Sequence, residues 1–329
     1  MKKRFLLLGF SLLVLLAVAL VLTGPVLAEN KPGEGLKFTY IDHGDPADPF
    51  HAKIVSGWKE AAAALGVEAT ELFAYADLAK TIDYVNAAIA AEVDGILVFS
   101  VDPEGLHPSV QLAVEKGIAI VLTSSRDPVF GPEEVPFVGF DIEEQGYTLG
   151  KYIAKQLEAA GLVSDVNIAF FAEFLAPYSV QRRQGSLRAL EDAGITYIAS
   201  DIFAVGVDLG VVIDKTKAYL IAHPDTAVLI GLGSLTTPAG GMVLQELGYE
   251  PGEVKWAGYD LMPETVACIK AGYGAANVDE VFNYGFSGCM TLYLRAKYDF
   301  IIGDITIATV MVDQTNIEEY VYWVERGIK

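Results

Sequence analysis

Val93-Asp-Gly-Ile-Leu-Val-Phe-Ser-Val-Asp102, followed by Gly117-Ile-Ala-Ile-Val-Leu-Thr-Ser-Ser-Arg126, is the stretch that decides the fold. Between the two runs, Leu106, Val110, Ala113 and Val114 recur at helical spacing. Two apolar runs rich in β-branched residues on either side of a helix read as strand, crossover helix and parallel strand. Their near-continuous hydrophobicity means that both faces of the sheet are covered. Each run stops in polar residues: Ser100 and Asp102 after the first, Ser124, Ser125 and Arg126 after the second. Ligands of open α/β sheets sit just outside those carboxyl ends, so the same stretch holds half of a candidate site.

The pattern extends outward in both directions. Upstream, 37–42 reads as the first strand. A turn of His43, Gly44, Asp45, Pro46 and Asp48 leads into a helix that opens on Pro49 and closes at Gly66. A strand over 68–73 and a helix over 79–91 complete that half, and 136–141 is a fifth strand. From there the rhythm restarts. Helices are expected over 145–160, 180–193, 209–222, 239–247, 263–271 and 284–298, with strands over 166–171, 197–204, 227–231, 254–259, 275–278 and 306–312, then a terminal helix from Asn316. Strictly alternating elements mean an α/β chain with parallel sheets. About ten strands are many for one twisted sheet, which favours two lobes.

Composition narrows the partners. With 23 Lys and Arg against 43 Asp and Glu, the formal charge of −20 argues against nucleic acid or anionic lipid. The exception is the amino terminus, where Lys2, Lys3 and Arg4 precede an apolar run from Phe5 to Leu22, then Gly24-Pro25 and Val26-Leu-Ala28. This reads as a secretory signal over 1–28 cleaved after Ala28, with 29–35 a leader. An uncleaved anchor is the alternative, the run being at the short limit for a span. Export permits a disulfide between the only two cysteines, Cys268 and Cys289, but two buried thiols are equally ordinary.

Polar and aromatic side chains gather at the strand ends. His43, Ser100, Asp102, Ser125, Arg126, Asp141, Ser234, Asp260 and Asp279 are joined by Asp48, Phe50, His51, Phe174, Tyr178, Arg182 and Tyr259 as candidate ligand contacts. Carboxylates and guanidinium groups fork onto adjacent hydroxyls, and aromatic faces cover the apolar side of a sugar ring. Each candidate has a plainer reading. Ser100 or Ser234 could cap a helix, Asp260 could start a turn, and Arg182 could pair with Glu173 on the surface. His43 and His51 read as turn or pocket-wall groups rather than bases. Gly231-Leu-Gly233, before a helix, lacks the dinucleotide glycine spacing. Scattered aspartates form no cation cage. No catalytic signature occurs, so no cofactor, metal or enzymatic activity is expected.

Eight short motifs in order carry a resemblance: Asp48-Pro-Phe50, Asp94-Gly-Ile-Leu-Val-Phe-Ser100, Gly117-Ile-Ala-Ile-Val, Val138-Gly-Phe-Asp141, Arg182-Arg-Gln-Gly185, Ala222-His-Pro-Asp225, Trp256-Ala-Gly-Tyr-Asp260 and Asn316-Ile-Glu-Glu-Tyr320. From about Leu36 to Arg326 the chain resembles the ribose-binding, type I periplasmic sugar-binding proteins of ABC importers. The resemblance implies two Rossmann-like lobes, 36–139 with 280–308 and 140–279 with 309–329, joined by a three-segment hinge near 139–141, 278–280 and 307–310. It implies a monomeric receptor outside the cytoplasm, periplasmic or extracellular, that hands a small sugar or polyol to a permease. A sensory receptor of the same fold, feeding a chemoreceptor or kinase, is the first rival, and a sugar-processing enzyme using two of the aspartates is the second.

By position, the resemblance makes Asp48 and Phe50 part of a ligand-stacking turn, with His51 where a second aromatic is usual. Ser100 and Ser234 replace common asparagines, Ser125 replaces an Asp beside Arg126, and Asp279 replaces a frequent Gln. Arg182, Tyr259 and Asp260 match their counterparts. The resemblance also puts Cys268 and Cys289 in different lobes. A thiol-reagent count of two is therefore expected; a count of zero would contradict the separation.

Overall fold

The computed structural model describes residues 31–326 and 328. The expected signal over 1–28 and its cleavage point lie outside them, as do residues 29 and 30. The first half runs β1 (Lys37–Asp42), α1 (Pro49–Leu65), β2 (Glu68–Phe73), α2 (Leu78–Ala90), β3 (Gly95–Ser100), α3 (Pro103–Glu115), β4 (Ala119–Ser124) and β5 (Phe137–Gly139). The second runs α4 (Ile142–Ala160), β6 (Val166–Ala172), α5 (Pro177–Asp192), β7 (Tyr197–Ala204), α6 (Leu209–Ala222), β8 (Val228–Gly231), α7 (Thr236–Glu246), β9 (Lys255–Tyr259), α8 (Pro263–Lys270) and β10 (Ala275–Val278). Last come α9 (Phe282–Tyr298), β11 (Ile305–Thr306), β12 (Val310–Val312) and α10 (Ile317–Val324).

Two six-stranded sheets result, ordered β11-β5-β4-β3-β1-β2 and β12-β10-β9-β8-β6-β7. All pairings are parallel except β12 on β10. Burial follows position. Every residue of central β3 is buried, whereas edge strand β7 is half open along its length. In the first sheet, Trp58 and Leu292 pack on one face and Val85 and Val110 on the other. In the second, Leu149 and Leu190 cover one face, Leu220 and Val243 the other.

The chain passes between the sheets after β5, after β10 and between β11 and β12. The single strand expected over 306–312 is therefore two short strands, one in each sheet. β-branched residues run on through the turn (Thr306, Ile307, Thr309, Val310, Val312), and both halves lie largely half-buried on a sheet edge. Helix starts also differ: α4, α5 and α7 begin about three residues earlier than their apolar stripes. Cys289 lies in the core of the first sheet and Cys268 in that of the second, both free and buried. Burial pushes the Cys289 thiol up to about 12, so the thiol count must be made on unfolded protein.

Helix pairs close on each other through glycine. A Cβ at Gly57 would lie 2.0 Å from the Phe282 carbonyl oxygen, and one at Gly285 2.0 Å from that of Ile54. Between α4 and α5, a Cβ at Gly185 would lie 1.9 Å from the Glu143 oxygen and one at Gly146 2.2 Å from the Arg182 oxygen. The obstacle in each case is backbone, which cannot swing aside. Gly185→Ala should force α4 and α5 apart and lower the unfolding free energy by about 1–3 kcal/mol in urea titration. An unchanged midpoint would show that the helices are free to separate.

Candidate functional site

Backbone ends converge where the two sheets face each other. At the carboxyl ends lie Asp42, Ser100 and Ser124 on the first sheet, and Glu173, Gly231, Asp260 and Asp279 on or just beyond those of the second. Ser100 pairs with Ser124 across β3 and β4. Ser124 and Asp260 both have φ near +70° (71° and 67°), a conformation uncommon outside glycine and enriched at functional sites.

Arg182 is the centre of the second sheet's contribution. Its Nη2 donates to Asp279 Oδ2 at 2.6 Å and to Gln145 Oε1 at 3.1 Å, its Nε to the same Gln145 oxygen, and its Nη1 to the Leu232 carbonyl at 2.8 Å. Gln145 Nε2 closes the ring by donating to Asp279 Oδ1 at 2.7 Å. The guanidinium lies 3.7 Å over the Tyr259 ring and 5.3 Å from that of Tyr178. Arg182 is 7% exposed and Asp279 4%. The surface pairing of Arg182 with Glu173 is thus corrected: the arginine is buried and its ionic partner is Asp279. The glycine-mediated contact of α4 and α5 sets Gln145 beside Arg182.

Glu173 does something else. Its Oε1 accepts from the amides of Leu235 at 2.7 Å and Thr236 at 3.2 Å, and its Oε2 from the Tyr178 hydroxyl at 3.3 Å. A carboxylate of the chain itself thus fills the amino terminus of α7, where a phosphate would sit. Ser234, half-buried, is not its cap.

On the first sheet, Asp48 caps α1 through the Phe50 amide at 2.8 Å. His51 Nδ1 lies 2.7 Å from Asp42 Oδ1, and His43 Nδ1 lies 3.2 Å from Thr81 Oγ1. Burial, then the neighbouring His51, lowers the His43 pKa. Phe50, His51 and Phe99 form an edge-to-face cluster with centroids 5.0 to 6.2 Å apart. Ser100 Oγ is buried with no partner, and so is Asp42 Oδ2. Ser100 is not a helix cap either; Asp102 has that place, accepting from the Gly105 amide at 3.0 Å.

Other expected residues are placed apart or given structural work. Asp141 is exposed and caps α4 through the Glu144 amide at 2.9 Å. Arg126 pairs with Asp304 and points to the Phe130 carbonyl, so its charge is engaged within the first lobe. Ser125 stands one residue past β4. Phe174 is half exposed, edge-on to Tyr178 with centroids 6.0 Å apart.

Sequence reasoning missed Gln145, Glu173 as a cap, Lys53 and Asn277. Gln145 had a faint signal, lying in the first turn of a helix that starts at the first crossover. The amino edge of the first sheet carries an open groove of about 800 Å³, but Arg295 there is held by the Glu133 and Glu134 carbonyls, and no comparable convergence occurs.

Charges of both lobes act on one group. Burial raises the Asp260 pKa against the pull of Arg182 and Lys53, with Glu173 and Asp48 adding to the rise. Asp48 caps α1 and Lys53 lies on it, so charges of the first lobe act on Asp260 of the second. Burial, with the nearby Asp260, raises Asp279 to about 7 despite its bond to Arg182. A carboxyl whose folded pKa is raised contributes stability below its unfolded pKa, and loses it as pH rises through the folded value. Between about pH 4 and 7, wild type should therefore lose stability relative to Asp279→Asn as pH rises, measured by urea unfolding at each pH. A flat or opposite difference would place the proton elsewhere.

Comparison with known proteins agrees with this architecture. A family model described as the periplasmic binding protein domain matches residues 44–297. The xylose/arabinose-binding protein of Sulfolobus acidocaldarius is 24% identical over 257 residues, covering 74% of this chain and 62% of that protein. The D-ribose/D-allose-binding protein of Pseudomonas aeruginosa is 26% identical over 214 residues, 62% of this chain and 63% of that one. The matches thus span about three fifths of each relative. Among solved structures, a periplasmic ribose ABC transporter protein from Conexibacter woesei superposes with a TM-score of 0.77 at 19% identity, over 92% of this chain and all of that one. With two parallel-sheet lobes of the type I fold and a family match over most of its length, the chain belongs to the periplasmic binding protein domain family.

Proposed function

We propose that the protein is a sugar-binding receptor that captures a small sugar or polyol between its lobes and delivers it to an ABC transporter permease. The carrying observation is Asp260, at the end of β9 and within the field of charges from both lobes. No described residue donates a hydrogen bond to its carboxyl, so a ligand hydroxyl is its natural donor. Arg182, Asp279 and Ser100 border the same space, with Phe50, His51 and Tyr178 as its aromatic walls; His43, Ser234 and Tyr259 stand behind them.

Closure follows from that arrangement. The lobes, 36–139 with 280–308 and 140–279 with 309–329, move as units about the three crossovers. A solute that touches both lobes only when they are closed shifts the equilibrium toward closure. Binding rather than transformation is the reading, in keeping with a family of binding proteins. Function as a monomer outside the cytoplasm accords with the family. No described helix is long and apolar enough to cross a membrane. The two relatives named for pentose and hexose binding make aldoses the first candidates.

A thermal-shift panel of pentoses, hexoses, polyols and nucleosides, with amino acids as the control class, tests the reading. A ligand at a thousandfold its dissociation constant should add about 4 kcal/mol to stability. Asp260→Ala should weaken that ligand roughly a hundredfold or more in calorimetry, and a deoxy analogue lacking the recognised hydroxyl should be rejected strongly. Stabilisation by amino acids alone, or unchanged affinity in the variant, would remove the sugar reading.

A further inference from the structure

Arg182 is held on every nitrogen before any ligand arrives. Nε donates to Gln145, Nη1 to the Leu232 carbonyl, and Nη2 to both Asp279 and Gln145. A guanidinium has five N–H donors; four are thus used, leaving one. Its positive charge is likewise matched, by a buried carboxylate 2.6 Å away. The remaining cation near the site is Lys53, whose field falls on Asp260 and Asp279. Among the described residues, the charges that act most on Asp260 are those of Arg182 and Lys53 against Glu173 and Asp48, and the charge of Asp260 acts in turn on Asp279.

We infer that Asp279 is a specificity-determining residue: by supplying the counter-charge of Arg182 from within the protein, it makes the site take uncharged or ammonium-bearing sugars and reject sugar acids. An incoming carboxylate or phosphate would find no free guanidinium. It would also meet Asp260 and Asp279 in a space that closes away from water, where like charges are costly. A neutral hydroxyl can donate to Asp260 and accept the spare N–H of Arg182. An ammonium in its place would meet the same acceptor with opposite charge. Gln145 is the positioning residue, since it binds both members of the ion pair and holds them parallel.

The inference rests on the sugar reading, and one experiment separates the two. Matched sets of glucose, glucosamine and glucuronate, galactose, galactosamine and galacturonate, and ribose, ribosamine and ribose 5-phosphate are titrated calorimetrically at about pH 8, where the carboxylates of free ligands are ionised. In at least one set the neutral or amino member should bind, with the acidic member about a hundredfold weaker or worse. Asp279→Asn, of equal shape, should narrow that gap at least about tenfold by strengthening the acid, because it uncovers the Arg182 charge. A structural role alone would weaken all members equally.

Equal affinity for the acidic and neutral members, or an unchanged ratio in Asp279→Asn, overturns the inference and leaves the sugar reading standing. Failure of every member of every set to bind overturns both. Should Asp279→Asn not fold, Asp279→Gln carries the same comparison, and the wild-type ratio decides by itself.

Discussion

A buried guanidinium needs a partner of opposite charge, and in this protein the partner comes from the connection between the lobes. Arg182 on α5 and Asp279 just after β10 form an ion pair almost out of reach of water. Removing either would strand the other in a medium where an isolated charge costs several kcal/mol. Gln145, from the first turn of α4, donates to one and accepts from the other, so all but one of the guanidinium N–H donors are used. Two helices of the second lobe and the segment leaving that lobe are thereby tied at one point. Burial, followed by the charge of Asp279, raises the pKa of Tyr284 near the start of α9.

Backbone contact makes this possible. Glutamine and arginine reach each other because Gly146 and Gly185 let α4 and α5 approach until a methyl group would strike a carbonyl oxygen. The same device brings α1 against α9 at Gly57 and Gly285 and sets the His51 and Phe50 turn over the end of β3. Tight helix crossings fix the depth of the cleft walls, while polar strand ends furnish its floor. Elements that pack this closely move together, so freedom is left mainly to the crossovers.

Electrostatics in the cleft is a consequence of that rigidity. Carboxylates accumulate there because several do structural work: Glu173 fills the amino terminus of α7, Asp48 caps α1, and Asp279 neutralises Arg182. Among them the carboxyl of Asp260 alone accepts no hydrogen bond from a described residue, and its backbone adopts a conformation that ordinary residues avoid. Strain and an unpartnered acceptor coincide at this one position, at the end of a central strand, and this coincidence is the ground of the proposed role of Asp260 in binding.

The alternation of strands and helices, the number of lobes and the positions of the strand ends were determined by local sequence, because burial on both sheet faces demands near-continuous apolar runs that end where the sheet ends. Arg182, Asp260 and Asp279 were legible for the same reason: polar residues just past such runs have few other places to be. Pairing was not. That Arg182 turns to Asp279 instead of Glu173, that Arg126 is taken by Asp304, and that Asp102 and Asp141 act as caps depended on which helices cross and how closely. Nor could the β-branched run through 306–312 reveal a break between two sheets, since both pieces are alike in composition. Arg182 and Asp279 lie 97 residues apart along the chain, and only the folded packing of glycine-bearing helices brings them within bonding distance.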